Sequence, residues 1–183
     1  MDAPALLRDL HRELGARFTE VDGREVPRNY GDPAAEYRAA RSSAAVVDRS
    51  DRAVLRAHGR DPVRMLQGLI TNDLAGAPEG QGVYAAVLTP KGKLIADVRL
   101  FRRGDELLVD MPAAVREALL AHLRKYVPPL YARFEDLSDR WGVRGVYGPR
   151  SCELMGRVLG IQLPASGAED AFVLVPRNAA ELV

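Results

Sequence analysis

Hydrophobic and polar positions follow two regimes between Gly82 and Phe101. Val83 to Leu88 is a nearly continuous apolar run with β-branched residues, the composition of a buried strand. Thr89-Pro-Lys-Gly92 then supplies a turn: Pro90 presets its own φ, and Gly92 tolerates a positive one. From Lys93 the period is two. Leu94, Ala96, Val98 and Leu100 share one face, and Ile95, Asp97, Arg99 and Phe101 share the other. The pattern predicts a hairpin with a carboxylate, Asp97, in mid-strand, where Asp is depleted. Two readings of Asp97 stand side by side. One is an ion pair with Arg99 or with an Arg of the next strand; the other is a carboxylate aimed at a ligand. Spacing alone favours the pair, because structural ion pairs outnumber catalytic carboxylates.

Upstream, residues 5–14 place Leu6, Leu7, Leu10 and Leu14 at helical spacing, and Gly15 can end that helix. Residues 18–26 read as a hairpin turning at Asp22-Gly23, and residues 29–33 as a loop. A helix is expected over 33–43, with Ala35, Tyr37 and Ala39 available for packing. Residues 44–48 and 53–57 read as strands around a turn at 49–52. Asp61-Pro62 is a helix start, Asp as cap and Pro in the first helical position, with Met65, Leu66 and Leu69 as the apolar stripe. Thr71-Asn72-Asp73 stops it, and a Gly/Pro loop over 75–82 leads into the hairpin.

Downstream, Arg103-Gly104-Asp105 turns the chain into a third strand over 106–110. Pro112 opens a helix with Val115, Leu119, Leu123 and Tyr126 on one face, and Pro128-Pro129 ends it. Strands are expected over 131–137 and 141–147. Gly148-Pro149 opens a last helix, buried along Cys152, Met155 and Leu159 and ended by Gly160. A weak linker over 163–168 precedes a short strand over 172–175. Hairpins alternate with single helices, without the βαβα order of a doubly wound sheet. The fold class is therefore α+β, antiparallel β-sheets with packed helices.

The chain's 183 residues suit one domain or two small ones, and 47% apolar residues suffice for a packed core. With 26 basic and 25 acidic residues the net charge is +1, which calls for neither a nucleic-acid nor a membrane partner. No apolar run is long enough to span a bilayer, and charge breaks the N-terminal apolar run too early for a signal peptide. The single Cys152 excludes an internal disulfide and fits a reducing compartment, so a soluble cytoplasmic protein is expected. His11, His58 and His122 are scattered, so no metal-ligand spacing is present. His122, beside Leu123, reads as structural, and Cys152 as a buried inert thiol. The group Arg99, Arg102 and Arg103 reads as a solvated strand end, with a phosphate or polyglutamate contact as the alternative.

Four tracts together carry a resemblance: Gln67-Gly-Leu-Ile-Thr71-Asn-Asp73-Leu, Gly82-Val-Tyr84, Lys91-Gly-Lys-Leu-Ile-Ala-Asp97 and Leu107-Leu-Val-Asp-Met-Pro112. In this order and spacing they resemble the YgfZ family, the folate-binding relatives of the glycine-cleavage T protein, an aminomethyltransferase. The likeness is clearest over 33–150, so residues 1–183 are expected to form one aminomethyltransferase-like folate-binding region. Relatives continue into a second half and a β-barrel, so the chain reads as an N-terminal portion, either a fragment or a truncated gene. The resemblance implies tetrahydrofolate as cofactor. It places Asp97 beside the folate nitrogen that receives a one-carbon unit, as the catalytic carboxylate, and Tyr84 in the wall of the folate pocket. A carboxylate there can orient an amine and stabilise the cation formed as it attacks.

Departures from the T-protein pattern divide the functional reading. That pattern has His-Met where this chain has Asp51-Arg52, and the Met packs against folate; Arg52 at that position is counted with the cofactor-binding residues. The pattern also has an Asn in the strand end that here reads Val109-Asp-Met111. Both changes point toward the YgfZ branch, whose members support iron–sulfur enzymes. Yet the Lys-Gly-Cys-Tyr-x-Gly-Gln motif of that branch is absent. The first expectation is a YgfZ-like folate-binding protein supporting iron–sulfur cluster assembly or maintenance, with iron–sulfur enzymes as partners. The alternatives are a tetrahydrofolate-dependent aminomethyl transferase of the T-protein type and a non-functional fragment.

Overall fold

The structure, a computed structural model, describes residues 3–21, 23–78, 80–161, 163, 175–177 and 180–182. In chain order the elements are α1 (Ala3–Glu13), β1 (Arg17–Val21), β2 (Arg24–Asn29), α2 (Pro33–Ser42), β3 (Ala45–Asp48), β4 (Arg52–His58), α3 (Pro62–Gln67) and β5 (Val83–Leu88). There follow β6 (Leu94–Arg103), β7 (Glu106–Pro112), α4 (Arg116–Tyr126), β8 (Arg133–Asp136), β9 (Arg144–Tyr147), α5 (Ser151–Leu159), β10 (Val175–Arg177) and β11 (Ala180–Leu182). The fold is α+β with antiparallel sheets, as the pattern predicts. It divides into two compact units, Met1–Asp51 with Gly142–Gly167, and Arg52–Trp141 with Ala168–Val183.

In the first unit β1 and β2 form the expected hairpin, Thr19 opposite Val26. Asp32 caps α2, its Oδ1 accepting from the Ala35 N–H at 3.0 Å, with Pro33 at the helix start. None of α2's residues is buried, and Tyr37 is 67% exposed, so the packing expected of Ala35, Tyr37 and Ala39 does not occur. β3 and β4 do not form a hairpin about 49–52. β3 pairs with β9, Val46 opposite Val146, while both edges of β4 are taken by β7 and β8. At Gly148 (φ +120) a Cβ would meet the carbonyl oxygens of Ser43 at 2.5 Å and Ala40 at 2.7 Å, so only glycine fits this return.

The face of α5 is also corrected. Cys152 is exposed, whereas Leu154, Met155 and Leu159 are half-buried. Leu154 and Met155 together draw the buried stripe away from Cys152, which lies at its rim beside the exposed Arg150–Glu153 pair.

In the second unit, β5-β6-β7-β4-β8 form a five-stranded antiparallel sheet. Register places Val83, Leu100, Val109 and Leu55 in one row across four strands, and all four are buried. On the same face lie Ala85, Val98, Met111 and Ala53, with Leu66 of α3 and Leu119 and Leu123 of α4 in one core cluster. Asp61 caps α3 through the Arg64 N–H at 3.1 Å. At Gly59 (φ +144) a Cβ would meet the Tyr131 carbonyl oxygen at 2.7 Å, which ties the turn after β4 to the segment before β8. The helix expected from Pro112 begins as a 3-10 turn, Ala113–Val115, before α4. His122 packs its ring 4.8 Å from Tyr126, its Nε2 buried without a partner among the described residues. Burial, reinforced by Lys125, holds its pKa below the ordinary histidine range, the environment of a packed structural ring. β10 and β11 pair with each other, Val175 opposite Leu182. The linker expected over 163–168 and the strand expected over 172–175 lie outside the described residues except for Leu163 and Val175.

Arg56 joins three strands, bonding Glu106 of β7 and reaching Glu135 of β8 at 3.4 Å. The hydrogen bond from Arg56 is the main reason that the Glu106 pKa is lowered. A carboxylate with a depressed folded-state pKa contributes stability at neutral pH and loses it as pH falls through that pKa. Glu106→Gln should therefore lie below the parent in stability at pH 7, and the gap should close below about pH 4. Urea melts at the two pH values test this; a gap that does not change with pH would remove the ion pair from the account.

Candidate functional site

One residue along each strand from the buried row lies a second row: Tyr84, Arg99, Asp110 and Val54, opposite one another on β5, β6, β7 and β4. The period of two that buries Leu100 and Val109 turns Tyr84, Asp97, Arg99 and Asp110 to the other face. Tyr84 is 49% exposed. Its hydroxyl donates to Asp97 Oδ2 at 3.4 Å, and the Arg99 guanidinium carbon stands 5.3 Å from the centre of its ring. Asp97 lies diagonally from Tyr84, opposite Ala86 on β5. Tyr84 thus touches both the carboxylate and the arginine that spacing had paired with it.

Arg52 enters the same face from β4 and is bound to Asp110. Its Nε and Nη2 donate to the two carboxylate oxygens at 3.0 and 2.8 Å, a bidentate fork. The Arg52 side chain is 7% exposed and that of Asp110 14%. Arg52 and Asp110 lie in the two tracts singled out above as departing from the T-protein pattern, and they meet as one buried ion pair. Asp110 is absent from the sequence-derived site residues. The signal that could have found it was the second mid-strand Asp, on a strand able to pair with one carrying an unexplained Arg.

The tract Gln67 to Asp73 does more than stop a helix. Thr71 bonds Ala86 twice: its N–H donates to the Ala86 carbonyl at 3.0 Å, and its Oγ1 accepts from the Ala86 N–H at 2.9 Å. Asn72 Nδ2 donates to the Tyr84 carbonyl at 3.0 Å. Gln67 Oε1 accepts from the N–H groups of Leu74 and Ala75 at 2.8 and 2.9 Å. These amides and hydroxyls hold the loop on the free edge of β5, completing backbone groups that an edge strand leaves open. Between loop and strand is a cavity of about 410 Å³, its wall including Asn72, Asp73, Gln81 and Tyr84. Asp97 is not in that wall; it reaches Tyr84 from the strand beyond. An exposed phenol beside a polar-walled cavity, with a carboxylate on its hydroxyl, can stack a planar ring and accept from a ligand N–H.

Comparison with known proteins bears on this geometry. The GCVT N-terminal domain family matches residues 7–171. Among curated proteins, an aminomethyltransferase of Rubrobacter xylanophilus is 36% identical over 161 residues, covering 88% of this chain and 43% of that protein. An aminomethyltransferase of Stenotrophomonas maltophilia is 30% identical over 183 residues, covering 98% of this chain and 48% of that one. The chain thus spans less than half the length of these relatives. Among solved structures, the glycine cleavage system aminomethyltransferase T from Bartonella henselae superposes with a TM-score of 0.78 at 22% identity, over 88% of this chain and 44% of that one. The family model covers most of the chain and a relative more than 30% identical covers nearly nine-tenths of it, so the chain belongs to the GCVT N-terminal domain family.

Proposed function

We propose that residues 1–183 form the folate-binding portion of a tetrahydrofolate-dependent aminomethyl transferase of the T-protein type. The observation that carries this reading is the half-exposed Tyr84 ring, set between the edge-loop cavity and the Asp97 carboxylate. The cavity's volume lies in the range of small-ligand sites, and its wall supplies side-chain amides and a phenol, which suit a planar heterocycle with N–H and carbonyl edges. Tetrahydrofolate, when bound, supplies the amine nitrogen that receives the one-carbon unit. Tyr84 packs against the ligand's ring, and Asp97 accepts a hydrogen bond from an N–H beside the reacting nitrogen and stabilises positive charge developing there. The relatives' descriptions as aminomethyltransferases support this reading over the iron–sulfur one. No helix among the described residues is long and apolar enough to cross a membrane.

Calorimetric titration with tetrahydrofolate tests the proposal. Tyr84→Ala should weaken binding by about 1 kcal/mol or more, roughly fivefold, through lost aromatic contact. In a transferase assay with a protein spanning the relatives' full length, Asp97→Ala should lower the rate by about 10²-fold or more. Unchanged affinity in Tyr84→Ala, with unchanged rate in Asp97→Ala, would remove the site from this face of the sheet.

A further inference from the structure

A second cavity, about 380 Å³, shares no lining residue with the first and is walled by the loop after β4, by α3 and by the β6–β7 turn. Three arginines line it, Arg60, Arg64 and Arg102. Four arginines of this unit are matched by carboxylates: Arg52 with Asp110, Arg56 with Glu106, Arg116 with Asp136, Arg140 with Glu135. Arg60, Arg64 and Arg102 form no ion pair among the described residues. Two carboxylates share the wall, so it is net positive. One of them, Asp61, is engaged by the Arg64 backbone N–H as the cap of α3. Gln67 turns its amide away to the loop, donating to Asp73 at 3.2 Å and accepting from Leu74 and Ala75. Arg60 lies 5.9 Å from the Tyr131 ring centre, a contact that orients its charge without neutralising it. Three arginines against two carboxylates leave the wall with one positive charge in excess, and the planar fork of an arginine matches an oxyanion.

We propose that this cavity binds a small molecule carrying two or more oxyanion groups, phosphate or carboxylate, through Arg60, Arg64 and Arg102. The proposal does not depend on the folate reading. The test is calorimetric titration of the 183-residue chain with pyrophosphate and with citrate at low ionic strength. At least one anion should bind saturably, and Arg64→Ala with Arg102→Ala should weaken it at least about tenfold. Arg140→Ala, which removes an arginine outside the cavity, should change the affinity less than about twofold. On the parent chain, the Nε–H resonances of Arg64 and Arg102 should shift as the anion is added, which keeps the test open if the double variant folds poorly. A preference for pyrophosphate assigns the site to phosphate, and one for citrate assigns it to carboxylate. Absence of saturable binding at about 10 mM of either anion, or equal weakening by Arg140→Ala, would overturn the proposal.

Discussion

Arg52→Met should lose about 3–5 kcal/mol of stability, because it strands the Asp110 carboxylate in a buried site. Both side chains are less than one-sixth exposed, and the fork is bidentate, so solvent cannot replace the guanidinium in place. In a unit of this size the loss should lower Tm by more than about 10 °C. Asp110→Asn alone should also destabilise, by leaving the cation with a neutral partner. The double variant Arg52→Met with Asp110→Asn should recover most of the loss, since a neutral pair of similar volume removes both desolvation costs. Thermal melts of the four proteins form a double-mutant cycle. Losses that simply add would show that the two departures from the T-protein pattern are independent, contrary to the geometry. If the double variant folds, its tetrahydrofolate affinity compares the same face with and without the charged pair.

Asp48→Ala should be the next most damaging change, about 3–4 kcal/mol. Asp48, its side chain 6% exposed, accepts from four groups: the ring Nε2 of His11 at 3.0 Å, the Ser50 N–H at 3.0 Å, the Ser50 hydroxyl at 2.7 Å and Arg144 Nη1 at 3.0 Å. His11 continues the chain, its Nδ1 2.7 Å from the Tyr30 hydroxyl. Burial first, and then the nearby Asp48 and Glu36 charges, raise the Tyr30 pKa and keep its proton in place. Tyr30 therefore donates to Nδ1, and Nε2–H donates to Asp48. The network joins α1, the bend after β2, β3 and β9 within the first unit, so its loss should speed amide exchange across α1 and β3 together. Tyr30→Phe, which removes one end of the chain, should cost only about 1 kcal/mol. Equal losses for the two variants would mean that Asp48 is not the centre of the network.

Much of the local architecture was legible in residue order. The hairpin of β5 and β6, the caps at Asp32 and Asp61, the turn at Gly104 and the α4 face of Leu119 and Leu123 follow from short-range rules of period, capping and turn chemistry. The α+β class followed from the order of those elements, and the family from the spacing of four tracts. The outward face of Tyr84 and Asp97 was also readable, because a strand's period of two assigns faces once one face is known to be buried.

Pairing between distant segments was not legible. β3 finds β9 about a hundred residues later because β4, its neighbour in sequence, already has a partner on each edge. Nothing in a four-residue strand encodes that competition. Cys152 was misplaced because three apolar residues over two turns define a stripe only to within one position, and the packing of Leu154 settled which side was buried. The side-chain partners were the least accessible of all. Asp97 and Arg99 stand two residues apart on one strand face, so spacing pairs them, but spacing does not reveal that Tyr84 on the adjacent strand contacts both. Arg52 and Asp110 are 58 residues apart, and only the register of β4 on β7 brings them within a bidentate fork. Periods along one strand determine which way a side chain faces; the register between strands decides what it meets, and register is a property of the whole sheet.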